Sequence, residues 1–335
     1  MDKLNCVLLA AGIYLVPAVC IASSAEGGDV DSNGASDNNL RLLYWNIQNG
    51  MWSGQENDYR EFVEFVAGQH PDVCVWAEAQ SNYLTASSEK YADDAERYFP
   101  DAWADFARKY GHTYWYKGGH HDRFPQVVTS RYPIENVKRI VGTEPDSIVS
   151  HGAGWARIVV GDDTINIVTV HTWPQKYGFG VDKSQQKDDA VANGGDRYRR
   201  KEIEYICRNT IESVAGADRQ LWMMMGDFNS LSRLDNRFYG MPADTSAFLC
   251  HDYVLEYTPY IDVVSKKYPM ELVPTIWRDA RIDYVYCTPA MYNCISDVKV
   301  IRDSYTTPVR DAAVSRFFHP SDHYPILIDF NIQQK

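Results

Sequence analysis

The chain has 335 residues, of which 45% are hydrophobic and 23% are charged. A chain of this kind can bury a large core, so a disordered or fibrous protein is excluded, and one large α/β domain or two smaller ones are expected. The formal net charge of -12 does not favour nonspecific electrostatic binding of nucleic acid over a broad surface, because such binding usually requires a basic face. A nuclease is still allowed, because a metal held among carboxylates reverses the local field.

Residues 1–25 have the layout of a secretory leader. The apolar segment Cys6–Ile21 leads into small residues that end at Ala25, after which cleavage is expected. Pro17 interrupts the apolar run, which is also shorter than the ~20 residues of a typical transmembrane helix. We therefore expect a secreted or periplasmic protein. A lipid anchor at Cys20 is the second hypothesis, because the bulky valine before it suits lipoprotein cleavage poorly.

Residues 26–39 are mostly Gly, Ser, Asn and Asp, a composition typical of a flexible tether. Only one such segment follows the leader, which predicts a single domain over residues 40–335. The cysteines of this domain are Cys74, Cys207, Cys250, Cys287 and Cys294. The first two stand in apolar patterns typical of buried free thiols, whereas the last two could form a disulfide in an oxidising compartment.

The first elements of the domain alternate between apolar strands and an amphipathic helix. Residues 40–47 have the apolar density of a central strand, with Asn46 as its polar exception. The apolar stripe over residues 58–67 predicts a helix. The next strand, residues 73–77, is closed by Glu78. If these strands pair in register, their polar ends meet at one rim.

The middle of the domain predicts a β-hairpin followed by a helix. Two apolar runs, 154–160 and 164–170, flank a Gly-Asp-Asp turn, and the second run ends at His171. A helix is expected over 198–214, and it opens with a basic cluster that includes Arg199 and Arg200. Cations are poorly placed at a helix N-terminus, so these arginines are candidates for contact with a phosphate.

The apolar run Leu221–Met225 stops abruptly at the sequence Gly-Asp-Phe-Asn-Ser. This pattern predicts a buried strand whose end carries Asp227 and Asn229. The two residues are two positions apart, so on an extended chain they lie on the same face. A carboxylate beside a carboxamide can hold a water or a hard cation and can bind a phosphoryl oxygen. A plain strand-to-turn junction would use the same residue types.

The C-terminal third adds more polar residues next to apolar runs. Asp283 begins an apolar run of strand character, and Asp322 and His323 precede the closing strand, residues 326–332. The full set of polar residues at strand ends is Asn46, Glu78, His171, Asp227, Asn229, Asp283, Asp322 and His323. Carboxylates, an amide and imidazoles are what metal-assisted hydrolysis of a phosphoester requires. The preferred ion is Mg²⁺, with Mn²⁺ or Ca²⁺ as alternatives, because no cysteine cluster or HExxH motif indicates zinc.

The order of these motifs resembles the endonuclease/exonuclease/phosphatase superfamily, which has the DNase I-like fold. The resemblance rests on Trp45-Asn46-Ile47, the strand that ends in Glu78, Val170-His171, Gly226-Asp227-Phe228-Asn229, Arg281-Ile282-Asp283-Tyr284 and Ser321-Asp322-His323-Tyr324-Pro325. It implies an α+β fold, a four-layer α/β/β/α sandwich of two mainly antiparallel sheets packed face to face. The active site would lie at one end of the sheets.

The resemblance also implies a role for each residue. Glu78 would be the main Mg²⁺ ligand, with Asn46 and Asp322 close by. Asp227 would position or activate the attacking water, and Asn229 would bind the phosphate. His323, held by Asp283, would act as a general base or as an acid that stabilises the phosphate, and His171 would contact the scissile phosphate from the opposite side.

A histidine at position 171 is the residue that the resemblance associates with secreted nucleases and sphingomyelinase-like members, whereas abasic-site repair members would carry tyrosine. The leading hypothesis is a secreted Mg²⁺-dependent phosphodiesterase that acts on nucleic acid or a smaller phosphodiester. A phospholipid headgroup or an inositol phosphate is the alternative substrate, with Trp173, Tyr177 and Phe179 as a membrane-touching or ring-stacking loop. A catalytically silent binding module is a third hypothesis, and no obligate protein partner is evident.

Overall fold

The computed structural model describes residues 39–332, with gaps at 52–53, 55–56, 85–86, 92, 94–101, 121–123, 143–147, 313 and 315. The expected leader with Cys20, and the expected tether up to residue 38, lie outside the described residues. Within the described part of the chain, no helix has the length and apolar character that a membrane span requires.

Twelve of the described strands form two six-stranded sheets. The strands are β1 (Asn39–Asn46), β2 (Val73–Ala77), β3 (Tyr83–Leu84), β4 (Ser87–Tyr91), β5 (Tyr114–Gly118), β6 (Gln126–Ser130), β7 (Ile134–Ile140), β8 (Ala153–Val160), β9 (Asp163–His171), β10 (Leu221–Asp227), β11 (Ile261–Asp262), β12 (Asp283–Cys287), β13 (Ile295–Val300), β14 (Val309–Arg310), β15 (Phe318–His319) and β16 (Ile326–Asn331). The first sheet has the order β13-β16-β1-β2-β6-β5 and the second β11-β12-β10-β9-β8-β7. Each contains one parallel pair, β1 with β2 and β9 with β10, and its other pairs are antiparallel.

The described residues contain nine α-helical segments, some of which cover the outer faces of the two sheets. They are α1 (Gln48–Met51), α2 (Arg60–Gln69), α3 (Trp103–Arg108), α4 (Gln186–Val191), α5 (Gly194–Arg208), α6 (Asn236–Tyr239), α7 (Leu249–Tyr257), α8 (Val263–Lys267) and α9 (Pro289–Tyr292). The predicted helix at 58–67 corresponds to α2, and the predicted hairpin to β8 and β9.

The alternation of side chains along the central strands explains the layers. In β1, Leu42 and Tyr44 belong to the apolar cluster between the sheets, whereas Leu43 and Trp45 belong to a second cluster with α2 and α3. Strand β10 likewise sends alternate residues into the shared core and into a third cluster with α5 and α7. Because successive side chains of a strand point to opposite faces, each sheet is apolar on both sides. The predicted four-layer α+β sandwich is confirmed.

Strand register brings the polar ends together, as the sequence predicts. In the first sheet Asn46 pairs with Ala77, the residue before Glu78, at the carboxyl ends of the parallel strands β1 and β2. In the second sheet Asp227 lies between His171 and Asp283 on its two neighbouring strands. The same end of both sheets therefore carries the candidate residues.

Two local expectations are revised by the structure. The helix predicted from residue 198 begins earlier, at Gly194, so Arg199 and Arg200 lie in its second turn rather than at its N-terminus. Cys287 and Cys294 are free thiols, and no disulfide joins any of the cysteines in the described residues.

Buried histidines couple the stability of the fold to pH. His112 is fully buried, with Nε2 2.9 Å from the Pro71 carbonyl oxygen and Nδ1 2.9 Å from Thr129 Oγ1. A neutral ring donates to the carbonyl and accepts from the hydroxyl, so both ring nitrogens are satisfied without a buried charge. Burial lowers the pKa of His112 to about 4, and it lowers the pKa of His251 to about 3.

We predict that His112 and His251 each contribute stability that is lost as the pH is lowered from about 6.5 towards 4, because the unfolded chain then binds protons that these rings exclude. Each such histidine contributes up to about 1.4 kcal/mol per pH unit. Urea unfolding at several pH values would measure how the free energy of unfolding depends on pH. The His112→Asn variant should take up about one proton fewer on unfolding than the wild-type protein. The surface variant His70→Asn is the matched control, and an unchanged pH dependence in His112→Asn would contradict the prediction.

Candidate active site

The centre of the site is a histidine that a buried carboxylate holds in place. Asp283 is completely buried, and its Oδ2 lies 2.7 Å from His323 Nδ1. Tyr44, from the other sheet, donates its hydroxyl to Asp283 Oδ1 at 2.6 Å. With Nδ1 engaged, His323 directs Nε2 towards Asp227 Oδ2 at 3.8 Å and Asp322 Oδ1 at 3.7 Å.

The backbone around His323 is tied to strand β1. Trp45 Nε1 donates to the His323 carbonyl oxygen at 2.9 Å, and Ser321 Oγ donates to the Asn46 carbonyl oxygen at 2.7 Å. Ser321 Oγ also accepts from the His323 amide at 3.2 Å. These bonds fix the position of the imidazole before any substrate arrives. The sequence does not predict the role of Tyr44, which has the pattern of an ordinary core residue of a strand, and it indicates Trp45 only as part of the Trp45-Asn46-Ile47 motif.

Asn46 links the two carboxylates that face each other across the site. Its Nδ2 lies 3.1 Å from Asp227 Oδ2 and 3.4 Å from Glu78 Oε1. The backbone amide of Asn49 donates to the other oxygen of Glu78 at 2.8 Å. Glu78 itself has a φ of 53°, a left-handed conformation that is uncommon for residues other than glycine and is often found at functional sites.

The segment that supplies the Asn49 amide is a left-handed turn. All four residues of α1 have positive φ values, between 33° and 64°. Gly50 is required there, because a Cβ at this position would lie 2.4 Å from the Ser81 backbone nitrogen. The close approach brings the turn against the chain that follows Glu78. A Gln-Asn-Gly sequence signals a turn, but not a turn of this handedness.

His171 and Asn229 complete the cluster. His171 Nε2 is 3.9 Å from both Glu78 Oε1 and Asp227 Oδ2. Asn229 donates its backbone amide to Asp227 Oδ1 at 2.8 Å, and its Nδ2 donates to the Thr172 carbonyl oxygen at 3.0 Å. The φ of Asn229 is 46°, which asparagine tolerates better than most residues.

The site carries buried negative charge. Burial and the nearby Asp283 raise the pKa of Asp227 to about 8. Burial also raises the pKa of Glu78 and of Asp322, and Asp322 adds to the effect on Glu78. Burial lowers the pKa of His323, but the surrounding carboxylates, above all Asp283, outweigh it and hold this pKa well above its usual range. His171 differs, because burial lowers its pKa to about 4 and keeps the ring neutral near pH 7.

Two sets of side chains offer ligand atoms close enough to share a metal ion. One set is Glu78, His171 and Asp227, and the other is Asp227, Asp283 and His323, with atoms within 4.8 Å of one another in each. The second set is less suited to a metal, because Asp283 and His323 already use their facing atoms on each other. Burial raises the pKa values of Glu78, Asp227 and Asp322, and repulsion by neighbouring carboxylates adds to the rise. A divalent cation would relieve this repulsion, so the residues present fit a metal.

The structure brings together all of the predicted site residues except the two arginines. Arg199 is only 6% exposed, and it donates to Asp196 and to the carbonyl oxygens of Trp173 and Gln175. Arg200 pairs with Glu204 and stacks on the ring of Tyr253. Their expected role in phosphate binding is corrected: both guanidinium groups are occupied by contacts of α5.

A cleft of about 420 Å³ opens beside His171. We call it the aromatic cleft; its floor includes Glu78 and His171, and its walls include Tyr83, Phe124, His151, Trp173 and Phe179. A larger depression of about 820 Å³ lies at the opposite end of the second sheet, near Asp163 at the start of β9. It contains none of the clustered carboxylates and imidazoles described above, so we assign the chemistry to the other end.

Comparison with known proteins gives one family and many structural neighbours. Residues 43–323 match the model of the endonuclease/exonuclease/phosphatase family. No curated protein sequence matches. An AP endonuclease from Archaeoglobus fulgidus is similar in structure, with 18% identity, a TM-score of 0.55, and coverage of 88% of this chain and 100% of the other.

Two further structures have comparable similarity. TDP2 from D. rerio, complexed with a single-strand DNA product, has 15% identity, a TM-score of 0.52, and coverage of 88% and 100%. The 3' phosphatase NExo from Neisseria, bound to a product DNA hairpin, has 15% identity, a TM-score of 0.54, and the same coverage. At this identity the likeness shows the shared fold. The family model spans most of the chain, and the chain therefore belongs to the endonuclease/exonuclease/phosphatase family and is a phosphoric ester hydrolase.

Proposed function

We propose that the protein is a Mg²⁺-dependent phosphodiesterase in which water attacks phosphorus, with a nucleotide-containing diester as the substrate class. The observation that carries this proposal is the position of His323 Nε2, which Asp283 directs towards Asp227. A proton-transfer group and a carboxylate that can orient water thus lie next to each other. Hydrolysis of a phosphodiester needs both.

Asp227 orients the attacking water and accepts its proton as the new bond to phosphorus forms. The bond from phosphorus to the ester oxygen of the leaving group breaks, and that oxygen takes a proton from solvent. Asp227 Oδ1 is held by the Asn229 amide and Oδ2 by Asn46, so the carboxylate has a fixed direction. Its raised pKa makes it a stronger base than an ordinary carboxylate. His323, in its charged form, places an N–H beside the negative charge that develops on the phosphoryl oxygens. Asp283 keeps that ring charged and correctly oriented.

Asn229 and the neutral His171 bind the phosphoryl group from the other side. Thr172 accepts one hydrogen of Asn229 Nδ2, which leaves the second hydrogen for a phosphoryl oxygen. His171 Nε2 lies 3.9 Å from a carboxylate oxygen of Glu78 and from one of Asp227. The neutral imidazole lies beside the phosphoryl group without adding to the charge of His323.

Glu78, Asn46 and Asp322 would hold Mg²⁺. The carboxylate oxygens of Glu78 and Asp322 suit a hard cation, and the buried negative charge of the site favours one. Asn46 would join them through its amide oxygen, which here accepts from the Gln48 amide at 3.1 Å. When bound, the ion would offset the charge of the phosphate. Secretion, which the leader predicts, stays a prediction, as does the lipid anchor.

We predict that His323→Ala and Asp227→Ala each reduce turnover of bis-p-nitrophenyl phosphate, plasmid DNA or RNA by at least about 100-fold. The fold should persist, and Asp227→Ala should raise the melting temperature, because it removes a buried carboxylate that its neighbours repel. Activity assays and thermal unfolding of the same samples would measure both effects.

The matched controls are His70→Ala and Asp218→Ala, two exposed positions outside the cluster. Wild-type rates in both active-site variants would rule out the assignment. The absence of hydrolysis of any diester by the wild-type protein would rule out the proposed phosphodiesterase.

Metal dependence has its own prediction. EDTA should stop turnover and Mg²⁺ should restore it, and Mg²⁺ should raise the melting temperature, since a ligand at 100 times its Kd adds about 2.7 kcal/mol. Glu78→Gln should abolish the Mg²⁺-induced shift, whereas the exposed variant Glu271→Gln should retain it. Turnover that persists in EDTA would contradict the metal site. Differential scanning fluorimetry supplies the readout.

A further inference from the structure

The aromatic cleft has no part in the proton transfers described above. We propose that it binds the nucleobase of the nucleotide whose phosphate lies at His171, and that Trp173, Phe179 and His151 determine substrate specificity there. This inference rests on the proposed function, because the phosphate must occupy the neighbouring site. It adds the part of the substrate that the enzyme recognises.

The cleft is continuous with the catalytic cluster. Glu78 and His171 line it, so a group attached to a phosphate at these residues enters the cleft directly. The ring of His151 lies 4.2 Å from that of His171 and 5.3 Å from that of Phe124, measured between centroids. Trp173 is 6.1 Å from His151 and 5.0 Å from Phe179. The walls therefore present several ring faces within one small space.

Close backbone contacts set the position of His151. The next residue, Gly152, has a φ of 91°, and a Cβ on it would lie 2.3 Å from the Cα of Gly119. The two glycines thus allow two chain segments to touch where a larger residue could not fit. The His151 carbonyl oxygen accepts from the His120 amide at 2.9 Å. His151 is held against His171 by the backbone and not only by ring contacts.

Helix α5 fixes the opposite wall. Glu202 is completely buried, and it accepts from the Trp173 amide at 2.8 Å through one oxygen and from the amide and hydroxyl of Ser150 through the other. Arg199 donates to the carbonyl oxygens of Trp173 and Gln175. One helix thus ties together the two segments that carry His151 and Trp173. Because the buried side chains of Glu202 and Arg199 hold both segments, the shape of the cleft is fixed.

The chemistry of the walls favours a planar, uncharged ring as the occupant. The cleft of about 420 Å³ lies within the roughly 300–1,000 Å³ range of small-molecule sites. None of its lining residues, all in the described part of the chain, is lysine or arginine, so an inositol bearing further phosphates would find no cation there. Aromatic faces stack on any base. A quaternary ammonium group could also bind aromatic faces, and the experiment separates it from a base.

The test compares three esters with one leaving group: thymidine 5'-p-nitrophenyl phosphate, methyl p-nitrophenyl phosphate and p-nitrophenylphosphorylcholine. The wild-type protein should have a higher kcat/KM for the thymidine ester than for the methyl ester. In Trp173→Ala and in Phe179→Ala, that advantage should shrink by about 10- to 100-fold, as expected for the loss of base stacking. Two separate variants guard against a folding defect in one, and circular dichroism checks both.

Tyr114→Ala is the matched aromatic control, because this residue begins β5 at the end of the sheet away from Glu78 and is 39% exposed. It should retain the wild-type ratio of the two esters. If both variants reduce hydrolysis of the thymidine and methyl esters equally, the nucleobase site is wrong although the proposed function stands. If the Trp173→Ala and Phe179→Ala variants reduce hydrolysis of the choline ester only, the cleft binds a quaternary ammonium group and the inference is overturned. If the wild-type protein cleaves none of the esters, the proposed function fails first.

Discussion

The carboxylate of Asp283 is the point at which the two sheets and the site are joined. It comes from the second sheet, yet its oxygens bond to Tyr44 of the first sheet and to His323, which precedes the last strand of the first sheet. Satisfying a buried carboxylate with two strong hydrogen bonds fixes the sheets relative to each other at this end. The same bonds orient the imidazole. The packing of the two sheets and the orientation of His323 thus both depend on Asp283. A change in the sheet packing at this end would also move the imidazole.

The cluster around this group is electrostatically costly. Asp227, Glu78 and Asp322 all have raised pKa values, because burial and mutual repulsion disfavour their charged forms. A sequence selected for stability alone would not retain three such carboxylates in one place. Functional sites commonly keep this kind of unfavourable arrangement, since the repulsion is what makes a cation or a proton bind well. The left-handed turn beside Glu78 adds local backbone strain to the same region.

Much of this could be predicted from the sequence, and the limits have physical causes. Apolar strands that end in Asn46, Glu78 and Asp227 indicate a shared rim, because strand register brings chain ends together regardless of separation in sequence. Tyr44 was not identified, since one hydroxyl on a core residue gives no pattern. Arg199 was assigned to the phosphate because a cation is poorly placed at a helix N-terminus, and only coordinates reveal that the helix begins earlier and that Arg199 has buried partners. His151 contacts His171 through glycine-mediated packing, which leaves no signal in composition or periodicity.

The attachment of both cleft walls to helix α5 has a consequence for how substrates are selected. Glu202 and Arg199, both on helix α5, hold the Trp173 segment by hydrogen bonds to its backbone. A recognition surface that is already ordered pays little conformational entropy when a ligand arrives. Selection by such a preorganised surface depends on shape rather than on closure of a lid. Homologous chains could therefore change their substrate preference by substitution of single aromatic residues in the cleft, without any change in a mobile loop.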